Sequence, residues 1–214
     1  MAEKEHLNMI ITGHIDNGKS TTMGHFLMDL GVVDERTIAA HAKESEETGK
    51  GDTFKYAWVM DNIKDERARG ITIDLAFKKF ETPKYFFTLI DAPGHRDFVK
   101  NMITGASEAD CAVLVLSAKE GETDTAVAPG GQAREHAFLL KTLGVSQIIL
   151  AINKMDDSKF SEDAYKIAKD KGEKLVKSVG YKVENVPAIP VSGWTGENLV
   201  KKSENMPWYS GKTL

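Results

Sequence analysis

One cysteine, Cys111, stands in the whole 214-residue sequence, which rules out an internal disulfide and suits a reducing cytoplasm. It lies in the apolar run Cys111-Ala112-Val113-Leu114-Val115-Leu116, where we expect a buried small hydrophobe and not a nucleophile. No apolar run approaches the roughly 20 residues needed to cross a bilayer. The acidic start Met1-Ala2-Glu3-Lys4-Glu5 lacks the character of a secretion signal. We therefore expect a cytoplasmic location and no membrane partner. An excess of positive charge is missing too: the formal net charge of −4 argues against an unaided grip on nucleic acid by this segment. Internal repeats and low-complexity stretches are also absent. What is present, 41% hydrophobic and 28% charged residues, is enough for one buried core.

The chain is organised around Gly13-His14-Ile15-Asp16-Asn17-Gly18-Lys19-Ser20-Thr21, which follows the apolar Met9-Ile10-Ile11 and precedes an amphipathic run over 22–31. A strand, then Gly-x-x-x-x-Gly-Lys-Ser, then a helix is the phosphate-binding loop in its confirming context. Gly13 and Gly18 let the backbone turn inward where a Cβ would strike a phosphate. The freed N–H groups and the positive end of the helix form an anion cradle. Lys19 supplies charge to the β- and γ-phosphates, and the Ser20 hydroxyl can ligate Mg²⁺.

The pattern beyond predicts polar helical sequence over 34–50, interrupted by Gly49-Lys50-Gly51-Asp52, then a second helix over 54–69. Strands are expected over 72–77 and 85–90 through a turn near Pro83, then over 112–116, 148–152 and 188–191, with helices over 132–143 and 162–179. We expect a loop over 120–131. Strands alternating with helices predict an α/β fold of the P-loop NTPase type: a mostly parallel six-stranded sheet covered on both faces, with a helical insertion. Ligands on such sheets bind beyond the carboxyl ends of the strands, where each remaining motif falls.

Asp91-Ala92-Pro93-Gly94-His95 follows one strand. Asp91 can hold Mg²⁺ through its water shell, Gly94 offers an N–H to a γ-phosphate, and His95 can orient an attacking water. Thr72, in Arg69-Gly70-Ile71-Thr72-Ile73, can give its hydroxyl to Mg²⁺ and its N–H to the γ-phosphate, ordering the insertion when triphosphate binds. Ile15 and Ile71 would flank His95 as an apolar gate. Asn153-Lys154-Met155-Asp156 follows another strand. The Asp156 carboxylate can accept both donors of a guanine edge, N1–H and the exocyclic amine. Two charge-assisted bonds of roughly 1.5–3 kcal/mol each select guanine by about 10²- to 10⁴-fold. Lys154 can lie along the base, Asn153 can tie this loop to the phosphate loop, and Ser192-Gly193-Trp194 can place a backbone N–H on guanine O6.

Together these residues resemble the GTP-binding domain of the translational GTPases, most closely the elongation factor 1 alpha family. The resemblance runs through Gly13-His14-Ile15-Asp16, Arg69-Gly70-Ile71-Thr72-Ile73-Asp74, Asp91 to Ala106 and Arg134-Glu135-His136. The insertion with Gly49-Lys50-Gly51 and Phe54-Lys55-Tyr56-Ala57-Trp58-Val59 is similar to that of the archaeal and eukaryotic factor. The resemblance implies GTP or GDP with Mg²⁺, delivery of aminoacyl-tRNA to the ribosome, and a guanine nucleotide exchange factor as partner. It implies catalytic roles for His95, Thr72, Lys19 and Gly94, with His95 positioning the hydrolytic water when the ribosome engages. Asn17 departs from the family's usual His or Ser. In the family two β-barrel domains follow, so we expect a GTP-binding domain over 1–204, with its insertion about 34–69, and a detached linker over 205–214. Such a domain alone is expected to be a monomer with weak or no tRNA binding and slow hydrolysis. The alternatives are a release-factor-like or ribosome-rescue GTPase, the GTPase subunit of sulfate activation, and a module that retains GDP without hydrolysis; Arg69-Gly70-Ile71-Thr72-Ile73-Asp74 favours the elongation factor.

Overall fold

In the computed structural model, residues 4–49, 54–61, 66–67, 72–93 and 98–214 are described. The elements in order are β1 (Glu5–Gly13), α1 (Lys19–Asp29), α2 (Glu35–Glu47), β2 (Ala76–Glu81), β3 (Tyr85–Asp91), α3 (Val99–Ser107), β4 (Cys111–Ser117), α4 (Glu122–Val127), α5 (Gln132–Thr142), β5 (Gln147–Asn153), α6 (Glu162–Ser178) and β6 (Ala188–Pro190). One six-stranded sheet runs β2-β3-β1-β4-β5-β6, parallel throughout except for β2 against β3. Alternate side chains build a core on each face. Ile10, Ile90, Leu114 and Leu150 pack under Ala137 and Leu140 of α5 and Ala168 and Leu175 of α6. Ile11, Leu89, Val113 and Ala151 pack under Met23 and Leu27 of α1 and Ile38 of α2. The central strand β4 is buried on both faces, as its unbroken apolar run requires.

Register decides where the motifs meet. Ile11 pairs with Asp91, Gly13 with Val115, and Ser117 with Asn153, so the three loops leave the same edge of the sheet. β1 lies where the strand order reverses, the usual place for a ligand crevice.

Five expectations need correction. The described part of 54–69 is not one helix: a single 3₁₀ turn spans Ala57–Val59. Ala57, Trp58, Val59 and Met60 are all buried, whereas one face of a helix would bury only some of four consecutive residues. The strand expected from 72 begins at Ala76, because the amides of Ile73 and Asp74 donate to the Glu66 carboxylate and that of Leu75 to Asp74. The loop over 120–131 contains the short helix α4. Cys111 is only partly buried, at the start of β4. Burial still pushes its thiol up to about 11, which keeps it protonated. The stretch after 204 is docked: Met206 is buried, Trp208 Nε1 donates to Phe160 O at 3.0 Å, and Leu214 N donates to Asn198 O at 3.0 Å.

Candidate functional site

The phosphate loop closes where β1 ends. Gly13 has φ 147°, and a Cβ there would lie 2.4 Å from the Val115 carbonyl oxygen. Gly18, at φ 79°, would place a Cβ 2.6 Å from Asn153 Nδ2. Both positions therefore demand glycine. Asp16, at φ 61°, also takes a left-handed conformation. Neighbouring elements fix the rest: Ile15 N donates to Gln132 Oε1 at 2.9 Å, and Asn17 Nδ2 to Val115 O at 3.0 Å. Asn17 is fully enclosed, so the departure from His or Ser is absorbed as a brace to β4. Lys19 curls back over the loop, its Nζ 3.0 Å from His14 O. Burial lowers the pKa of Lys19, while Asp91, Asp16 and Asp61 act to raise it. A buried ammonium that donates to one carbonyl, with carboxylates nearby, is poised for an anion. His14 is likewise lowered, first by burial and then by Lys19.

Beside it, Ser20 Oγ donates to Asp91 Oδ2 at 2.7 Å and lies 3.2 Å from Thr72 Oγ1. Asp91 is wholly buried and its Oδ1 has no partner. Burial pushes its carboxyl up to about 6, against the opposing pull of Lys19 and Ser20. Asp61, 3% exposed with Oδ1 also unpartnered, is pushed to about 8 by burial, then by Asp91 and Glu66. Two hydroxyls and an orphaned carboxylate oxygen are the hard donors that Mg²⁺ takes, so the residues fit that ion. Gly94, His95 and Ile71 lie outside the described residues.

The third part is a pocket of about 430 Å³ lined by Asp16, Gly18, Thr21, Asn153, Lys154, Asp156, Asp157 and Trp194. Asn153 joins two loops: its Nδ2 donates to Asn17 O at 2.8 Å, and its Oδ1 accepts from Gly193 N at 2.8 Å. Asp156 Oδ1 accepts from Ser192 Oγ at 2.5 Å. Lys154, at φ 61°, reaches Glu122 Oε2 at 2.7 Å and so ties this loop to α4. In the triplet Ser192-Gly193-Trp194, the Ser192 amide donates to Glu197 O and the Gly193 amide to Asn153. Among the described residues, this leaves the Trp194 amide as the one without a protein acceptor.

Sequence reasoning did not single out Asp61, Glu66, Gln132 or His136 as site residues. Gln132 and His136 are four apart on α5, so they share the face turned to the loop; His136 Nδ1 is 2.7 Å from Thr12 Oγ1. That spacing was a readable signal. Asp61 and Glu66 gave none, since what brings Asp61 toward Lys19 and Asp91, and Glu66 toward Asp91, is long-range.

The family model described as "Elongation factor Tu GTP binding domain" matches residues 4–206. The sequence is 86% identical to an elongation factor 1-alpha of Cenarchaeum symbiosum (strain A), over 100% of this chain and 49% of that protein. Among solved structures it is similar to sup35 complexed with GDP, at 34% identity and TM-score 0.72, over 100% of this chain and 44% of that one. It is also similar to the S. cerevisiae Ski7 GTPase-like domain bound to GTP, at 25% identity and TM-score 0.82, over 99% and 48%. The chain spans about half the length of the curated relatives it matches.

Proposed function

Since the chain belongs to the family of elongation factor Tu GTP binding domains, we propose that it is the nucleotide switch of an elongation factor that delivers aminoacyl-tRNA to the ribosome. It is a GTPase domain. The observation that carries the reading is the convergence of Lys19, Ser20, Thr72 and Asp91 beside the pocket lined by Asn153, Asp156 and Trp194.

In this reading the phosphates lie over the amides of 13–21, with Lys19 spanning β and γ. Ser20 and Thr72 would hold Mg²⁺ directly, with the Asp91 carboxylate adding the negative charge that steadies its waters. The ion, when bound, neutralises charge on the phosphate oxygens. Asp156 accepts the two guanine donors and the Trp194 amide donates to O6. Asn153 holds both loops so that base and phosphates are read together. Gly94 contacts the γ-phosphate and His95 orients the water. In the full-length factor, the ribosome would engage His95 and an exchange factor would reload GTP.

Single-turnover hydrolysis of pre-bound GTP tests this, with Lys19→Ala and His95→Ala as controls. Slow release of phosphate that is lost in Lys19→Ala is expected. Bound GTP that never turns over would leave a binding module and overturn the enzymatic part.

A further inference from the structure

The peptide that faces the base pocket is held from behind by side chains remote from the phosphates. His25 lies buried on α1, with Nδ1 2.9 Å from the carbonyl oxygen of Gly193. A carbonyl only accepts, so Nδ1 carries the proton and donates. Gly193 C=O and Trp194 N–H belong to one planar trans peptide, whose two dipolar groups point in opposite directions. Anchoring the carbonyl on His25 therefore turns the Trp194 N–H to the other side, where Trp194 lines the pocket with Asp156. The restraint matters because glycine at the head of this peptide gives little steric resistance to a flip.

The His25 ring is itself clamped. Tyr56 stacks on it with centroids 4.1 Å apart and planes at 9°. Tyr56 also meets Trp194 edge-on at 6.1 Å, and Lys55 Nζ lies 5.0 Å above the Trp194 ring. Tyr56 reaches this place because α1 has glycine at 24, where a Cβ would fall 1.9 Å from the Tyr56 carbonyl oxygen. On its far side, His25 Nε2 is 3.7 Å from Asp29 Oδ1.

We infer that His25, clamped by Tyr56, is a positioning residue for guanine recognition: it locks the Gly193–Trp194 peptide so that the Trp194 N–H meets O6. The insertion that carries Tyr56 is thereby tied to base selection. This rests on the reading of the pocket as a guanine site.

The test is isothermal titration of the 214-residue chain with GDP and with 6-thioguanosine diphosphate, which keeps both donors for Asp156 but replaces O6 by a poorly accepting sulfur. The parent chain should prefer GDP. His25→Phe keeps a ring for Tyr56 and removes the donor. It should weaken GDP about three- to tenfold, the worth of one neutral hydrogen bond, and leave the thio analogue nearly unchanged, so the preference collapses. His25→Asn, with an amide N–H at similar reach, should restore the preference, and Tyr56→Ala should lose part of it. A His25→Phe chain that keeps the parent preference, or weakens both nucleotides equally, overturns the inference. A parent chain with no preference overturns the O6 contact and the positioning role with it. Failure of the guanine site itself is distinct: Asp156→Asn would then leave GDP affinity intact.

Discussion

Asp156 is oriented by Ser192, whose Oγ donates to its Oδ1 at 2.5 Å. Asp156→Asn should lose GDP and gain xanthosine diphosphate, since an amide can donate to the extra carbonyl; competition between the two nucleotides measures it, and unchanged GDP affinity removes Asp156 from the base site. Lys19→Ala should cost up to about 3 kcal/mol of GDP binding, the upper value of a charge-assisted bond. Ser20→Ala should act through Mg²⁺, so its deficit should shrink when the ion is chelated from both proteins. An equal deficit in chelator would refute that role. His136 gives a pH prediction. Burial lowers it to about 3 from 6.5, so below pH 6.5 the unfolded chain takes up a proton that the folded one refuses. The stability it contributes is present above 6.5 and is lost as pH falls toward 3, at up to about 1.4 kcal/mol per pH unit. The raised Asp61 and Asp91 work the other way, since the folded form binds their protons more tightly. The comparison that isolates His136 is therefore urea unfolding of parent and His136→Gln between pH 7 and 5. The variant should lose less stability on acidification; parallel slopes would refute a neutral buried imidazole.

Elements were legible where the cause is local. The strands β3, β4 and β5 announce themselves by apolar runs, and α6 by periodicity with Ser161 as its cap, accepting from Ala164 N. The six-residue α4 has too few turns to show a period. The segment 54–60 misled because its apolar residues serve a docked turn. Arg67 fastens that turn from outside, donating to Asp61 O at 3.1 Å and Glu44 Oε2 at 3.2 Å with its guanidinium 5.2 Å from the Trp58 ring. Motif spacing singled out Lys19, Ser20, Thr72, Asp91, Asn153 and Asp156, which the fold brings together, whereas the acids Asp61 and Glu66 required the fold. The same packing yields a prediction at this scale. Gly24→Ala forces a Cβ against backbone, at 1.9 Å from Tyr56 O, and α1 cannot yield without moving Lys19 and Ser20. The turn must lift, at about 1–3 kcal/mol, the usual cost of overpacking. The urea midpoint should fall and proteolysis within the insertion should quicken; an unaltered midpoint would show that this contact is loose.

For the whole molecule, the decisive quantity is how much of the reaction one domain can perform. Arg36 and Arg134 are exposed, Arg67 is spent on the insertion, and among the described residues no arginine lines the base pocket or the cleft beside the phosphate loop. Among the described residues there is thus no arginine placed to stabilise charge on a transferring phosphoryl group. GTPases of this architecture without such an arginine turn over at roughly 10⁻⁴ per second. Slow intrinsic hydrolysis is therefore expected, and under the proposed function the ribosome would supply the acceleration. His95 follows Gly94 in sequence, so it should meet the water and not the nucleotide. His95→Ala should leave GTP affinity almost unchanged and alter the isolated rate little. With the full-length factor on ribosomes, the same change should slow hydrolysis by about 10²-fold or more, the scale of a lost acid–base group. Stopped-flow hydrolysis on ribosomes decides it: a His95→Ala factor that fires at the parent rate would remove His95 from the chemistry and leave the phosphate loop and cation residues to account for hydrolysis alone.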